Sequence, residues 1–205
     1  MIPLVGDMKV SRETEEQLRH FQNLLLKWTS RINLISKATM GEIWHRHILD
    51  SAQIFAHHTP KPGIWADVGS GGGLPGIVAA ILSAERAPDT HLVLVESDQR
   101  KATFLRTAIR ELSLTATVHA TRAESLDALA APTLSARALA PLTDLLDVML
   151  RHGTPDSTGL FLKGASYKKE IAEARQNWDF ALEAHPSLTN PDASLLIVKD
   201  LHRAA

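Results

Sequence analysis

One stretch constrains this chain more than any other: Asp67-Val68-Gly69-Ser70-Gly71-Gly72-Gly73-Leu74-Pro75-Gly76. It follows a short apolar run, Ile64–Val68, and leads into a longer amphipathic one that starts at Pro75. Five glycines fall within eight residues. A side chain at such a turn keeps a ligand off the backbone, whereas glycine removes that block and permits positive φ. The helix opening behind the turn offers free N–H groups and the positive end of its dipole. A strand, a glycine turn and a helix in that order form a nucleotide cradle at the carboxyl end of a sheet.

The glycines can be read in two registers. Gly71, Gly73 and Gly76 satisfy G-x-G-x-x-G, the dinucleotide fingerprint, which would suit an NAD(P)-dependent oxidoreductase. Read from Gly69, the first glycine after the strand, the pattern is G-x-G-x-G preceded by Asp67. That is the pattern of enzymes that hold S-adenosylmethionine across the turn by its amino-acid end. Pro75 favours the second register, because the third glycine of a dinucleotide turn sits inside the helix. The oxidoreductase reading also lacks a Tyr–Lys pair, since the one tyrosine is Tyr167, far down the chain. The next apolar run, Leu92–Val95, ends at Glu96, 23 residues after Gly73. An acid there, near the usual spacing of about 20 residues, can accept hydrogen bonds from a ribose diol. Asp98 is placed to cap the helix that follows.

The remaining pattern extends the same architecture. Further short runs lie at Thr117–His119, Thr133–Ala136, Leu160–Leu162 and Ser194–Val198. Helical stretches fall between the runs at Pro75–Ser83, Gln99–Leu112, Pro141–Leu150 and Tyr167–Asn177. Alternation of this kind implies βαβ units with right-handed crossovers. The expected fold is α/β: a Rossmann-like, mostly parallel, doubly wound sheet. The first sixty residues read as helical, with capping boxes at Thr14/Gln17 and Thr39/Glu42. Leu18, Phe21, Leu25, Trp28 and Ile32 form an apolar stripe suited to core packing. Thr59-Pro60-Lys61-Pro62-Gly63 reads as a linker. The expected division is a helical extension, residues 1–60, and a nucleotide-binding core, residues 61–205.

Composition narrows the function. With no cysteine, disulfides, thiolate nucleophiles and zinc ribbons are excluded. No apolar run is long enough to span a bilayer, and Met1–Val10 does not read as a signal peptide. A cytoplasmic setting fits. His45/His47 and His57/His58 are poor ligand spacings, so no metal is expected. A net charge of −1 gives no long-range attraction to nucleic acid, so any RNA contact must use a local basic face. Arg46 and Asp50 stand at i, i+4, a spacing at which they can pair.

Several segments together resemble one family, the ribosomal RNA small subunit methyltransferase G family, also called glucose-inhibited division protein B. They are Trp28 with Asn33-Leu34, Arg46-His47-Ile48-Leu49-Asp50-Ser51, the glycine turn, Lys101 with Phe104-Leu105-Arg106, Arg122-Ala123-Glu124, Ser135-Ala136-Arg137-Ala138 and Leu162-Lys163-Gly164. They occur in order from Trp28 to Gly164. The resemblance implies methyl transfer from S-adenosylmethionine to N7 of a guanine in 16S rRNA, with 16S rRNA or the 30S subunit as partner; a monomer is expected. It implies cofactor contacts at Gly69, Leu74, Ala123, Glu124 and Arg137; the glycine-turn reading adds Gly71, Gly73 and Glu96. Arg137 and Lys163 are the candidates nearest the target nucleotide. Arg46, His47, Lys101, Arg122 and Lys163 are candidate RNA contacts. The turn has Gly72 where many relatives have proline, and the second strand ends in glutamate rather than aspartate.

Overall fold

The structure is a computed structural model that describes residues 1–204. The chain begins with a hairpin of β1 (Ile2–Val5) and β2 (Met8–Val10), then α1 (Arg12–Thr29). A 3₁₀ segment (Lys37–Glu42) and a π-helical segment (Trp44–Leu49) follow, then two short helices, α2 (Asp50–Ala52) and α3 (Ile54–His57). The remaining chain alternates: β3 (Gly63–Val68), α4 (Gly76–Arg86), β4 (Thr90–Val95), α5 (Gln99–Glu111), β5 (Ala116–His119), β6 (Ala131–Arg137), α6 (Leu142–His152), β7 (Gly153–Lys163), α7 (Tyr167–Ala174), β8 (Trp178–Pro186) and β9 (Ser194–Arg203).

The large sheet has seven strands in the order β5-β4-β3-β6-β7-β9-β8. The first five run parallel; β9 pairs antiparallel with both β7 and β8. Strand order reverses between β3 and β6. At such a switch point the loops diverge and leave a crevice beyond the carboxyl ends of the strands. The glycine turn after β3, Glu96 after β4 and Arg137 at the end of β6 all stand on that edge. This is the expected α/β architecture.

Three local expectations do not hold. The N-terminal stretch is not wholly helical, since it opens with the β1–β2 hairpin. Its glycine, Gly6, takes a φ of +53° that a tight two-residue turn demands. The two proposed capping boxes are not used either. α1 starts at Arg12, and its first turn is capped by the Ser11 side chain accepting from the Thr14 N–H. In the 3₁₀ segment Ser36 is the cap, accepting from Ala38, while Thr39 donates to the Ser36 carbonyl. Finally, β8 escaped the sequence reading, because its burial alternates only weakly along an edge strand.

The apolar stripe of α1 is core, as its period suggests. Leu18, Phe21 and Leu25 are fully buried in one cluster with Ile77 and Ile81 of α4 and Phe104 and Leu105 of α5. The rings of Phe21 and Phe104 stack with centroids 6.4 Å apart. The cluster therefore runs across the expected boundary at residue 60. A second clip joins the same elements: Glu85 of α4 accepts from the Ser11 N–H and from the Thr14 hydroxyl at 2.6 Å.

Candidate active site

The glycine turn is built by its contacts as much as by its freedom. Gly69 has a φ of +69°, and a Cβ there would lie 2.5 Å from Leu139, which leans over the turn from the β6–α6 loop. Gly76 begins α4, where a Cβ would lie 2.5 Å from the Asp67 carboxylate. Gly76 therefore serves close packing of helix on strand, and it does stand inside the helix. That removes the argument from Pro75 against the dinucleotide register; the register is decided by other observations below.

Asp67 is fully buried beneath the turn. Its carboxylate accepts from the Ser135 hydroxyl at 2.7 Å and from the Gly76 N–H at 3.2 Å. Ser135 in turn accepts from the Trp65 indole at 2.9 Å. Burial pushes the Asp67 carboxyl up to about 6, against those hydrogen bonds and the Arg137 charge. Glu96 is also nearly buried. One of its oxygens accepts from the Gly71 N–H and the other from the Asp98 N–H, each at 2.8 Å. Each carboxylate oxygen has a second lone pair, so these bonds orient Glu96 without exhausting it. Asp98 caps α5 by accepting from the Arg100 and Lys101 N–H groups, as expected.

Above these residues lies a cleft of about 680 Å³. Gly69, Gly71, Leu74, Glu96, Ala123, Glu124 and Arg137 all line it. Gly73 instead faces Phe21 and Ile77 beneath the turn. Ala123 and Glu124 belong to a one-turn 3₁₀ helix, Ala123–Ser125. His152, buried at the end of α6, holds that turn through its Nε2, 3.0 Å from the Ala123 carbonyl. Lys101 and Arg122, expected at RNA, stand on the rim of this same cleft.

A second cleft, of about 630 Å³, opens beside the first. The two share one wall, Arg137–Ala140. Arg46, His47 and Lys163 line the second cleft. Arg137 is at the junction, with its side chain 17% exposed and that of its partner Asp50 15% exposed. Its Nη1 donates to Asp50 Oδ2 at 3.1 Å, and its Nη2 to His47 Nδ1 at 3.0 Å. Asp50 is thus not the partner of Arg46, which stands near Glu42 instead, at 3.9 Å. Lys163 is buried; its amine donates to the Ala140 carbonyl at 2.7 Å and pairs with Glu170. Glu170 also accepts from the Leu142 N–H. The β6–α6 loop is therefore fastened on both sides.

Sequence reading missed three of these roles: Asp50 as the partner of Arg137, Glu170 as the anchor of Lys163, and His152 beneath the Ala123 turn. Each depends on contacts between segments far apart in the chain, for which local spacing carries no signal.

The strand order, the glycine turn and the paired clefts define a class: Rossmann-like S-adenosylmethionine-dependent methyltransferases. A solved structure of such a methyltransferase from Aquifex aeolicus matches with a TM-score of 0.56 at 10% identity, over 74% of this chain and 89% of that one. The chain also matches the family model described as rRNA small subunit methyltransferase G over residues 14–194. It is 52% identical over 198 residues to the ribosomal RNA small subunit methyltransferase G of Cereibacter sphaeroides (strain ATCC 17029 / ATH 2.4.9), covering 97% of this chain and 96% of the relative. The corresponding protein of Ruegeria pomeroyi is 48% identical, with 99% of each chain covered. The chain belongs to the rRNA small subunit methyltransferase G family. The nicotinamide oxidoreductase reading is overturned by that membership.

Proposed function

We propose that this enzyme transfers the methyl group of S-adenosylmethionine to N7 of a guanine in 16S rRNA, acting as a cytoplasmic monomer on the small ribosomal subunit without a metal ion. The observation that carries the reading is the pair of clefts meeting at Arg137–Ala140. One is floored by the glycine turn and suits the cofactor; the other suits the acceptor nucleotide.

The residues present fit the cofactor. Gly69 and Gly71 bring the backbone of the turn to the cleft, Glu96 is fixed where a ribose diol can donate to it, and Ala123 and Glu124 offer a backbone edge and a carboxylate to an adenine. When bound, S-adenosylmethionine supplies an electrophilic methyl carbon on a sulfonium. Guanine N7 has a lone pair and no proton, so the protein needs no general base and contributes by alignment. The groups at the junction agree with that division. Asp50 already accepts four hydrogen bonds, from Arg137, Gln53, Ser187 and Thr189. His47 Nδ1 is occupied by Arg137. Both are arranged to hold position, not to take a proton. Arg137 belongs to the wall that both clefts share, and its guanidinium is suited to the cofactor carboxylate or to the O6 edge of guanine. Lys163 acts through the loop it fastens, and the exposed Arg46 and Arg122 with the half-buried Lys101 are the cations that can meet phosphate.

The test is transfer of labelled methyl from S-adenosylmethionine to 16S rRNA and to 30S subunits, followed by nucleoside analysis. Labelled 7-methylguanosine at a single site is expected. Label on another base would overturn the N7 assignment and leave the methyltransferase class standing.

A further inference from the structure

Arg137 lies between the two clefts, and what holds it comes from elsewhere in the chain. The π-helical segment Trp44–Leu49 and the first residue of α2 bring His47 and Asp50 to it together. A π turn is wider than an α turn and is often found where function demands an unusual side-chain placement. Hydrogen bonds run in one direction through this group. Arg137 Nη2 donates to His47 Nδ1; His47 Nε2 donates to the Thr39 hydroxyl at 2.8 Å; Thr39 donates to the Ser36 carbonyl at 2.9 Å. The order requires neutral His47 with its proton on Nε2. Burial first, and then the charges of Arg137 and Arg46 against that of Asp50, lower His47 to about 4 and keep it in that form. Asp50 divides its carboxylate. Oδ2 takes Arg137, while Oδ1 takes Ser187 and Thr189 from the β8–β9 loop that walls the acceptor cleft.

We propose that Asp50 and His47 are positioning residues for methyl transfer: together they fix the Arg137 guanidinium at the junction, and Asp50 sets it in register with the acceptor-side loop Ser187–Asn190. The inference rests on the function proposed above. A guanidinium has free rotation about its stem unless it is bonded on both Nη atoms, and a small misplacement at a reacting centre costs rate far more than binding.

The test uses the full chain with Asp50→Asn, which removes the charge and keeps the shape. Turnover is measured at saturating S-adenosylmethionine and 30S subunits, S-adenosylhomocysteine binding by calorimetry, and the Arg137 Nη resonances by NMR, assigned by their loss in Arg137→Met. Turnover is expected to fall roughly tenfold to a hundredfold. S-adenosylhomocysteine should still bind, weakened by no more than the loss of an Arg137 contact to its carboxylate, since Gly69, Glu96 and Ala123 are untouched. The Arg137 Nη signals, distinct in the wild type because rotation is blocked, should merge. Wild-type turnover, or lost turnover with Arg137 signals unchanged, would overturn the proposal. If Asp50→Asn does not fold, His47→Phe and His47→Gln carry the same test: the first removes the Nδ1 acceptor, and the second restores an acceptor and should recover part of the turnover. Wild-type protein that methylates no rRNA would sink the proposed function, while the NMR comparison would still decide whether Asp50 and His47 fix Arg137.

Discussion

A carboxylate with no access to water sits under the glycine turn at position 67, and its titration has a definite sign. The folded Asp67 carboxyl is raised to about 6 from an ordinary value near 4. Between those values the folded chain binds a proton that the unfolded chain has lost. Stability from this group therefore falls as pH rises through about 4 to 6 and is level above. The span corresponds to about 3 kcal/mol. Urea unfolding of wild type and Asp67→Asn at several pH values tests this. The wild type should lose about that much stability relative to the variant between pH 4 and pH 7, and a pH-independent difference would refute it. His152 is a residue of another kind, holding the Ala123 carbonyl at the edge of the proposed cofactor cleft. His152→Phe should weaken S-adenosylhomocysteine binding roughly fivefold to tenfold, the worth of one hydrogen bond, as read by calorimetry. Gly69, Gly71 and Glu96 were legible as lining of the cleft because each occupies a fixed place relative to a strand end, whereas Arg137 came from the family resemblance and Gly73 turns beneath the cleft. His152 was not legible, because only the folded chain brings α6 beneath the turn after β5.

Among the elements, the β6–α6 loop bears most on the site, since it walls both clefts. Ala138 is held at a φ of +51°, a left-handed conformation that alanine does not favour on its own. The loop keeps that shape because Lys163 binds the Ala140 carbonyl and Glu170 binds the Leu142 N–H. Glu170→Ala leaves the buried Lys163 amine without its counter-charge. It should cost about 3 kcal/mol in urea unfolding. Replacing both, Lys163→Met with Glu170→Leu, should return most of that stability, since an apolar pair of similar size often substitutes for a buried ion pair. Turnover should stay low in the double variant, because the loop loses both fastenings. Full turnover there would show that Lys163 and Glu170 serve stability alone. The parallel strands and their helices were readable from alternating apolar runs, which report burial on both faces. The β1–β2 hairpin was not, being short and bearing a polar Gly-Asp turn in a stretch dominated by the helical period of α1. The π turn at 44–49 keeps a nearly helical period and so cannot be told from an α-helix by pattern.

At the scale of the molecule, the site is a meeting of segments spread over most of the chain: 46–50, 68–74, 95–101, 121–124, 137–140, 162–170 and 187–190. The segment before residue 61 takes part twice. It brings His47 and Asp50 to Arg137, and it supplies Leu18, Phe21 and Leu25 to the cluster that covers α4 and α5. Without it, Ile77, Ile81, Phe104 and Leu105 would face water, and each such side chain loses about 1.5–3 kcal/mol on exposure. The sum over four residues is comparable to the whole stability of an ordinary domain, about 5–15 kcal/mol. Residues 61–205 expressed alone should therefore fail to form a cooperative unit, although they contain the entire seven-stranded sheet. Circular dichroism and heteronuclear NMR of that fragment would decide it. A dispersed spectrum and a sharp thermal transition would mean that the first sixty residues are an appended domain, as the Pro-Gly linker suggested. A collapsed spectrum, rescued by adding residues 1–60 as a separate chain, would mean that the helical segment and the sheet form one core and that Arg137 is held only when the two have folded together.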